Sequence, residues 1–379
     1  MAPPYVTPLK KWLEKLVHTR FLTWFSPCVW GDSDGYSSVR QFLHGTAVGR
    51  FFVDQFWGIL GGDVKTLNKY TAHPETAKLK PWMDAFWVAS SFSILNYDTD
   101  FFDLVKGDKV KIHVADISQL SKGKVYLSSG DSFDTDALLL STGWKQTSSI
   151  HFLPVGLGAR LGLPCNNTVT NGEQEPLTAR ADAEILSTYP RLKYQPEKNR
   201  KFKPLSSADD EIPTDGTLSG LNLYRFMVPA DEELLETHDI AFAGHLMTFT
   251  TSIISQVQAL WITAYFDGKV SPLAPSAAAS RSGPTTQTTE DVSELDQRIL
   301  SVQYSATLHN RFGKWRYPGS WGGKLPDFVF DALPYIDMLL TDLGVNPWRK
   351  GSFLREISNP YGPEDYVGLV DEWVKSQKK

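Results

Sequence analysis

The chain has 379 residues, enough to bury a substantial core and to form two domains or one elaborate one. Its formal charge of −5 argues against a nucleic-acid partner or an acidic lipid surface. Its two cysteines, Cys28 and Cys165, fall in no CxxC and no metal-ligand spacing, so a zinc centre is not expected and a reducing, cytoplasmic setting is.

Lys10, Lys11, Glu14, Lys15 and Arg20 interrupt every candidate apolar stretch of a secretory signal. No window reaches the length of a membrane-spanning helix, so no span is expected. Residues 5–25 read as a helix followed by an irregular aromatic segment. Ser26 to Ser38 is rich in Gly, Asp and Ser and reads as a loop. Val39 to Leu60 carries the apolar spacing of one or two helices, and Asn96 to Val105 that of a short helix ending near Gly107. From Lys109 the period changes to two. Val110, Ile112 and Val114 predict a half-buried strand, Ser121 to Lys124 a turn, and Val125 to Ser128 the returning strand. Asp136 to Ser141 is an apolar run ending at Thr142-Gly143, the pattern of a central strand in a parallel sheet. Ligands bind at the carboxyl ends of such strands.

Residues 239–268 form the most organised stretch. Ile240 to Ala243 predicts a short buried strand that stops at Gly244. After a polar bend, Ile253, Ile254, Val257, Leu260, Trp261, Ala264 and Tyr265 fall on one helical face, with Thr250, Thr251 or Ser252 as N-cap and Gly268 as stop. A glycine before a helix N-terminus offers free N–H groups to a polar ring edge or a phosphate; a core strand–loop–helix without ligand fits the same pattern. Ser271 to Asp291 has the composition of a flexible surface linker. Ser293 to Arg311 and Pro334 to Leu343 read as helices, the second ended by Gly344 and Pro347.

Gly156 to Gly162 has glycines close to a dinucleotide fingerprint. The third comes one residue late, and Pro154 and Pro164 deny it the strand–turn–helix setting, so no phosphate is expected there. His245, beside Gly244, reads as a satisfied packing histidine. No GxxxxGK[ST], HExxH or GxSxG is present.

Several ordered stretches resemble the flavin-containing monooxygenase family. These are Asn96 to Val105 (NYDTDFFDLV), Asp134 to Trp144 (DTDALLLSTGW), Ser252-Ile253-Ile254 with Gln258-Ala259-Leu260-Trp261 and Phe266, and Leu333 to Pro347 (LPYIDMLLTDLGVNP). Leu260 stands where the family pattern has arginine. The resemblance implies an α/β, Rossmann-like flavoprotein built on two dinucleotide-binding domains, in part, with a helical C-terminal extension. It implies a monooxygenase that takes FAD and NADPH and oxygenates a small apolar molecule, in secondary metabolism for example. Thr142, Gly143, Gly244, Thr251 and Ser252 would then lie at the flavin, and no catalytic acid or base is assigned. The implied division is 1–115 as the remaining NADPH-binding part, 116–270 as the C-terminal part of the FAD-binding domain, 271–291 as linker and 292–379 as extension. Both glycine-rich fingerprints of the family are absent from the 379 residues. The expectation is therefore an N-terminally truncated arrangement that exposes strand edges and associates with another segment or another copy. The alternatives are a cofactor-free binder or cyclase on the same scaffold, or a non-catalytic partner subunit.

Overall fold

The computed structural model describes residues 5–6, 11–88, 98–107, 109–141, 150, 152–154, 156–164, 174–196, 220–270, 289–318 and 325–378. The chain opens with strands β1 (Tyr5–Val6) and β2 (Lys11–Trp12), paired antiparallel. Helices α1 (Leu13–Leu16), α2 (Arg20–Trp24), α3 (Ser37–Gly45), α4 (Ala47–Leu67), α5 (Pro74–Ala77) and α6 (Phe101–Lys106) follow. Three strands, β3 (Ile117–Ser121), β4 (Lys124–Leu127) and β5 (Ser132–Asp134), make an antiparallel sheet. After α7 (Leu157–Arg160) and α8 (Gln174–Thr188) comes the hairpin β6 (Leu223–Tyr224) and β7 (Val228–Pro229). The remainder is α9 (Glu232–Thr237), β8 (Met247–Thr248), α10 (Thr251–Phe266), α11 (Thr289–Arg316), β9 (Asp327–Phe328), α12 (Ala332–Asp342), α13 (Phe353–Ser358) and α14 (Leu369–Ser376).

Local chemistry sets these boundaries. The Thr46 hydroxyl accepts from Gly49 N at 2.9 Å and starts α4. A Cβ at Gly49 would lie 2.0 Å from the Phe42 carbonyl oxygen, so only glycine lets α4 turn so tightly off α3. Asp100 caps α6, accepting from Phe102 N at 2.8 Å. At the end of α10, Gly268 adopts φ 64° and donates to Tyr265 O, while Lys269 N donates to Ala264 O. That left-handed close satisfies carbonyls the helix leaves open.

One contiguous core joins both ends of the chain. Leu16, Leu22, Trp30 and Trp57 pack in the same cluster as Ile254, Trp261, Tyr335, Leu339 and Trp373. Buried charge reinforces it. The Arg20 guanidinium forks onto Asp337 of α12 and donates to Pro347 O and Tyr361 Oη. Such a cluster costs several kcal/mol to desolvate and holds because each guanidinium nitrogen finds an acceptor, Nε reaching Glu356 Oε2 at 3.4 Å.

The fold is a mixture of helix and small sheets, and three expected strands are not formed. Val110 to Val114 is irregular, because side chains of α5 and the residue that ends it take its backbone groups. Ile112 N donates to Glu75 Oε2 at 3.0 Å, and Lys78 Nζ donates to Ile112 O at 2.9 Å. The ladder starts instead at Ile117, set by the turn at Gly123, whose φ is 70°. Asp136 to Ser141 is not in a sheet, and Leu139 is 95% exposed, since no described strand lies beside it to share a ladder. Ile240 to Ala243 forms no strand; among the described residues the backbone bond it makes is Phe242 N to Met227 O at 2.7 Å, too little for a ladder. The parallel pairing among the described residues is Met247–Thr248 with Asp327–Phe328. Residues 271–288 of the expected linker lie outside the described residues, and its last residues, Thr289 to Asp291, begin α11.

Candidate functional site

The site is built on the approach to α10. Ala243, Gly244, Met247, Phe249, Thr251 and Ser252 are all exposed along this stretch. β8 pins the approach: Met247 N donates to Pro326 O at 2.9 Å, and the strand pairs with β9. Thr250 N donates to Thr248 Oγ1, and Thr251 Oγ1 to Thr248 O at 3.0 Å. The Thr250 side chain caps no helical N–H. The start of α10 is thus uncapped by a side chain, with Thr251 and Ser252 exposed, and an uncapped helix N-terminus favours negative charge.

The Thr250 hydroxyl is occupied by a histidine 232 residues away. His18 Nε2 lies 2.7 Å from Thr250 Oγ1, and His18 Nδ1 lies 2.6 Å from Glu14 O. A carbonyl oxygen only accepts, so Nδ1 carries the proton and Nε2 accepts from the threonine. Burial lowers the His18 pKa and favours this neutral form. A neutral ring adds no second positive charge beside the helix N-terminus.

Gly244 sits against the body of α10 and not at its tip. Its N–H donates to Gln258 Oε1 at 3.2 Å, about 10 Å down the axis from Thr251. The rest of that amide is spent inside the protein. Gln258 Nε2 donates to Tyr335 Oη at 2.9 Å, and Tyr335 Oη donates to Arg225 O at 2.8 Å. Arg225 is forked onto Asp342, which also accepts from Trp261 Nε1 at 3.0 Å. Arg225 and Phe226 are held at φ 52° and 61°, a left-handed pair normally left to Asn or Gly. This network over-determines the strained turn and fixes the face on which Gly244 rests.

His245 departs from expectation. It is half-buried, burial lowers its pKa, and its Nε2 finds no hydrogen-bond partner among the described residues. Thr142 and Gly143 lie outside the described residues. Of the expected site residues, Gly244, Thr251 and Ser252 are thus placed on one open stretch.

Elsewhere the described residues line two further spaces. A polar pocket of about 240 Å3 is lined by Asp32, Ser37, Arg40, Gln41, Glu184 and Thr188. An aromatic cavity between Trp30, Phe226, His309 and Phe312 measures about 10 Å3, room for one water. Neither combines the size and the apolar lining of a pocket for a small apolar molecule.

Comparison with known proteins adds the decisive observation. The chain is 28% identical over 389 aligned residues to FAD-dependent monooxygenase rstn6 of Aspergillus nomiae, covering 99% of this chain and 60% of that protein. It is 29% identical to FAD-dependent monooxygenase resA of Aspergillus sclerotiorum, over 100% of this chain and 61% of that one. By sequence, this chain is similar to FAD-dependent monooxygenases over nearly its whole length. A third relative, FAD-dependent monooxygenase avaB of Aspergillus versicolor, is 28% identical over 95% of the chain and 52% of its own length. The chain thus spans about 60% of the length of the first two relatives. No protein-family model and no solved structure matches it.

The described residues fit one end of FAD. The exposed first turn of α10 would meet a polar ring edge, and a Cβ at Gly244 would touch nothing, so the space over this residue is clear. The glycines at 156–162 do not form a phosphate cradle. They flank a helix of four residues, and a Cβ at Gly162 would lie 2.3 Å from the Asn222 carbonyl oxygen. Asn222 N donates to Gly162 O at 2.8 Å, so chain packing explains that glycine.

Proposed function

We propose that this chain forms the flavin-facing part of an FAD-dependent monooxygenase that transfers one atom of dioxygen to a small apolar molecule, as in secondary-metabolite biosynthesis, with NADPH as reductant. In the balanced reaction, acceptor, O2, NADPH and a proton give oxygenated acceptor, NADP+ and water. The reading rests on the similarity to FAD-dependent monooxygenases over 99% of the chain. Residues 1–115 would belong to the NADPH-binding side and residues 116–270 to the FAD-binding side.

Bound FAD would supply electron transfer from NADPH and the activation of dioxygen. The protein's own residues supply position and field. The N–H groups of the first α10 turn stabilise negative charge at a ring edge, without reorganising when the charge develops. His18 holds Thr250 and so fixes how the chain enters that turn. Gln258 holds Gly244 against the helix, which keeps the open face at a set height.

The test supplies purified protein with excess FAD, NADPH and isotopically heavy dioxygen, offers a panel of apolar acceptors, and reads product mass. A single labelled oxygen atom in a product, dependent on both FAD and NADPH, is the expected result. Conversion of an acceptor without flavin, or none with FAD and NADPH both present, overturns the reading.

A further inference from the structure

We propose that this chain forms a homodimer through the outer face of α4, with the two helices antiparallel and Phe52 of each copy seated over Gly62 of the other. The proposal does not depend on the flavin chemistry.

The inner face of α4 is spent on the core through Val53, Trp57, Leu60 and Gly61. Its outer face is a second seam. Val48, Phe52, Gln55, Ile59, Gly62 and Thr66 are all exposed and follow one another at spacings of 4, 3, 4, 3 and 4. That is the period at which one helix stays in register with another along its length. Val48 is 59% exposed, Phe52 50% and Ile59 56%. Phe51, beside the seam, is 57% exposed. No residue of the seam is charged.

The glycines on this side have no reason inside the chain. A Cβ at Gly58 or Gly62 would meet nothing, and neither has positive φ. Each costs the helix about 1 kcal/mol relative to alanine. The close approach of another helix supplies the missing reason.

Self-association demands self-complementarity, because a two-fold interface presents the same patch twice. Antiparallel pairing about the middle of the seam sets position 48 against 66, 52 against 62, and 55 against 59. The largest side chain then faces the smallest, twice. A parallel pair would set Phe52 on Phe52 and leave Gly62 over an empty notch. The exposed portions of Phe51, Phe52, Val48, Ile59 and neighbouring Phe42 come to on the order of 450 Å2 per copy. Two copies bury on the order of 900 Å2, less than the roughly 1,200 Å2 at which stable interfaces begin, so the dimer is a weak, reversible one.

Lipid is the weaker occupant. A helix lying on a membrane pairs its apolar face with flanking free cations. Here the Arg50 guanidinium donates to His44 O and Gly45 O, and Lys65 pairs with Asp84 at 3.2 Å.

Sedimentation equilibrium of the full chain over a broad concentration range should show a reversible monomer–dimer equilibrium. Phe52→Asp should weaken it about 30-fold or more, the loss expected of a central anchor. The replaced side chain is half exposed, so far-ultraviolet circular dichroism should match wild type, and the unfolding transition should match at concentrations where both proteins are monomeric. Orientation is read with Phe52→Cys and Gly62→Cys under mild oxidation. The mixture of the two variants should give a cross-linked dimer band absent from wild type, and each variant alone should not. A monomer at every concentration, a dimer indifferent to Phe52→Asp, or self-cross-linking of either cysteine variant alone overturns the proposal. So does a monomeric chain that floats with phosphatidylcholine vesicles.

Discussion

Gln258 carries more of the candidate site than its place in a helical pattern indicates. It is 1% exposed, yet both ends of its amide are used, one on Gly244 N and the other on Tyr335 Oη. Gln258→Leu keeps the volume and removes both partners. The buried Tyr335 hydroxyl loses its donor, and Gly244 loses its anchor. Leaving buried polar groups unpaired costs about 1–3 kcal/mol. Urea unfolding should therefore show Gln258→Leu less stable by about that amount, with Gln258→Leu and Tyr335→Phe strongly non-additive because they break one network. Equal and additive losses would mean that the two side chains act independently. The sequence pattern placed Gln258 in the motif but not its contacts. His18 was invisible to it, since nothing local marks a histidine whose partner lies 232 residues away.

At the scale of elements, legibility followed punctuation. α10 was expected from its apolar face and its bounding Thr and Gly, and it spans Thr251–Phe266. α12 was bounded in the same way by its apolar spacing and Gly344, whose φ is 68°. Strand reading found Val125 to Ser128, which forms β4, but misled at Val110 to Val114, because a ladder needs a neighbour as well as a pattern. Val110 to Val114 alternates well, but Glu75 and Lys78 hold its backbone. Ile117–Ser121 alternates poorly, and it pairs because Gly123 at φ 70° turns the chain back onto it. Stop signals can be tested singly. Gly268 has φ 64° and open space where a Cβ would stand, so a substitution there meets backbone strain and no clash. Gly268→Ala should lower stability by about 1 kcal/mol through that strain, with the extent of α10 unchanged. Thermal unfolding with helix content from circular dichroism checks it. An unchanged midpoint would show that the left-handed close of α10 contributes nothing to stability.

For the whole molecule, the family was legible and the sheet architecture was not. The ordered motifs from Asn96 to Pro347 pointed to flavin monooxygenases, in agreement with relatives matched over nearly the whole chain. No described residues form the large parallel sheet implied for Asp136 to Ser141, where Leu138, Leu139 and Leu140 are exposed. No helix among the described residues is long and apolar enough to cross a membrane. These facts set how the chain should treat its cofactor. A dinucleotide is held at two ends, with its pyrophosphate on a glycine turn and helix N-terminus. The 379 residues contain no GxGxxG. Under the proposed function the described residues would meet only the ring end, at Gly244, Thr251 and Ser252. Each hydrogen bond there contributes roughly 0.5–1.5 kcal/mol net, against an association cost of at least about 4 kcal/mol. The purified chain should emerge colourless from desalting and bind FAD with a dissociation constant above roughly 10 µM. With only the ring end held, riboflavin should bind within about threefold of FAD, a gap of less than about 1 kcal/mol. Quenching of tryptophan fluorescence in parallel titrations measures both. A chain that retains FAD through desalting, or prefers FAD to riboflavin about a hundredfold, holds the pyrophosphate with residues other than a glycine turn, and the two-ended argument then fails for this protein.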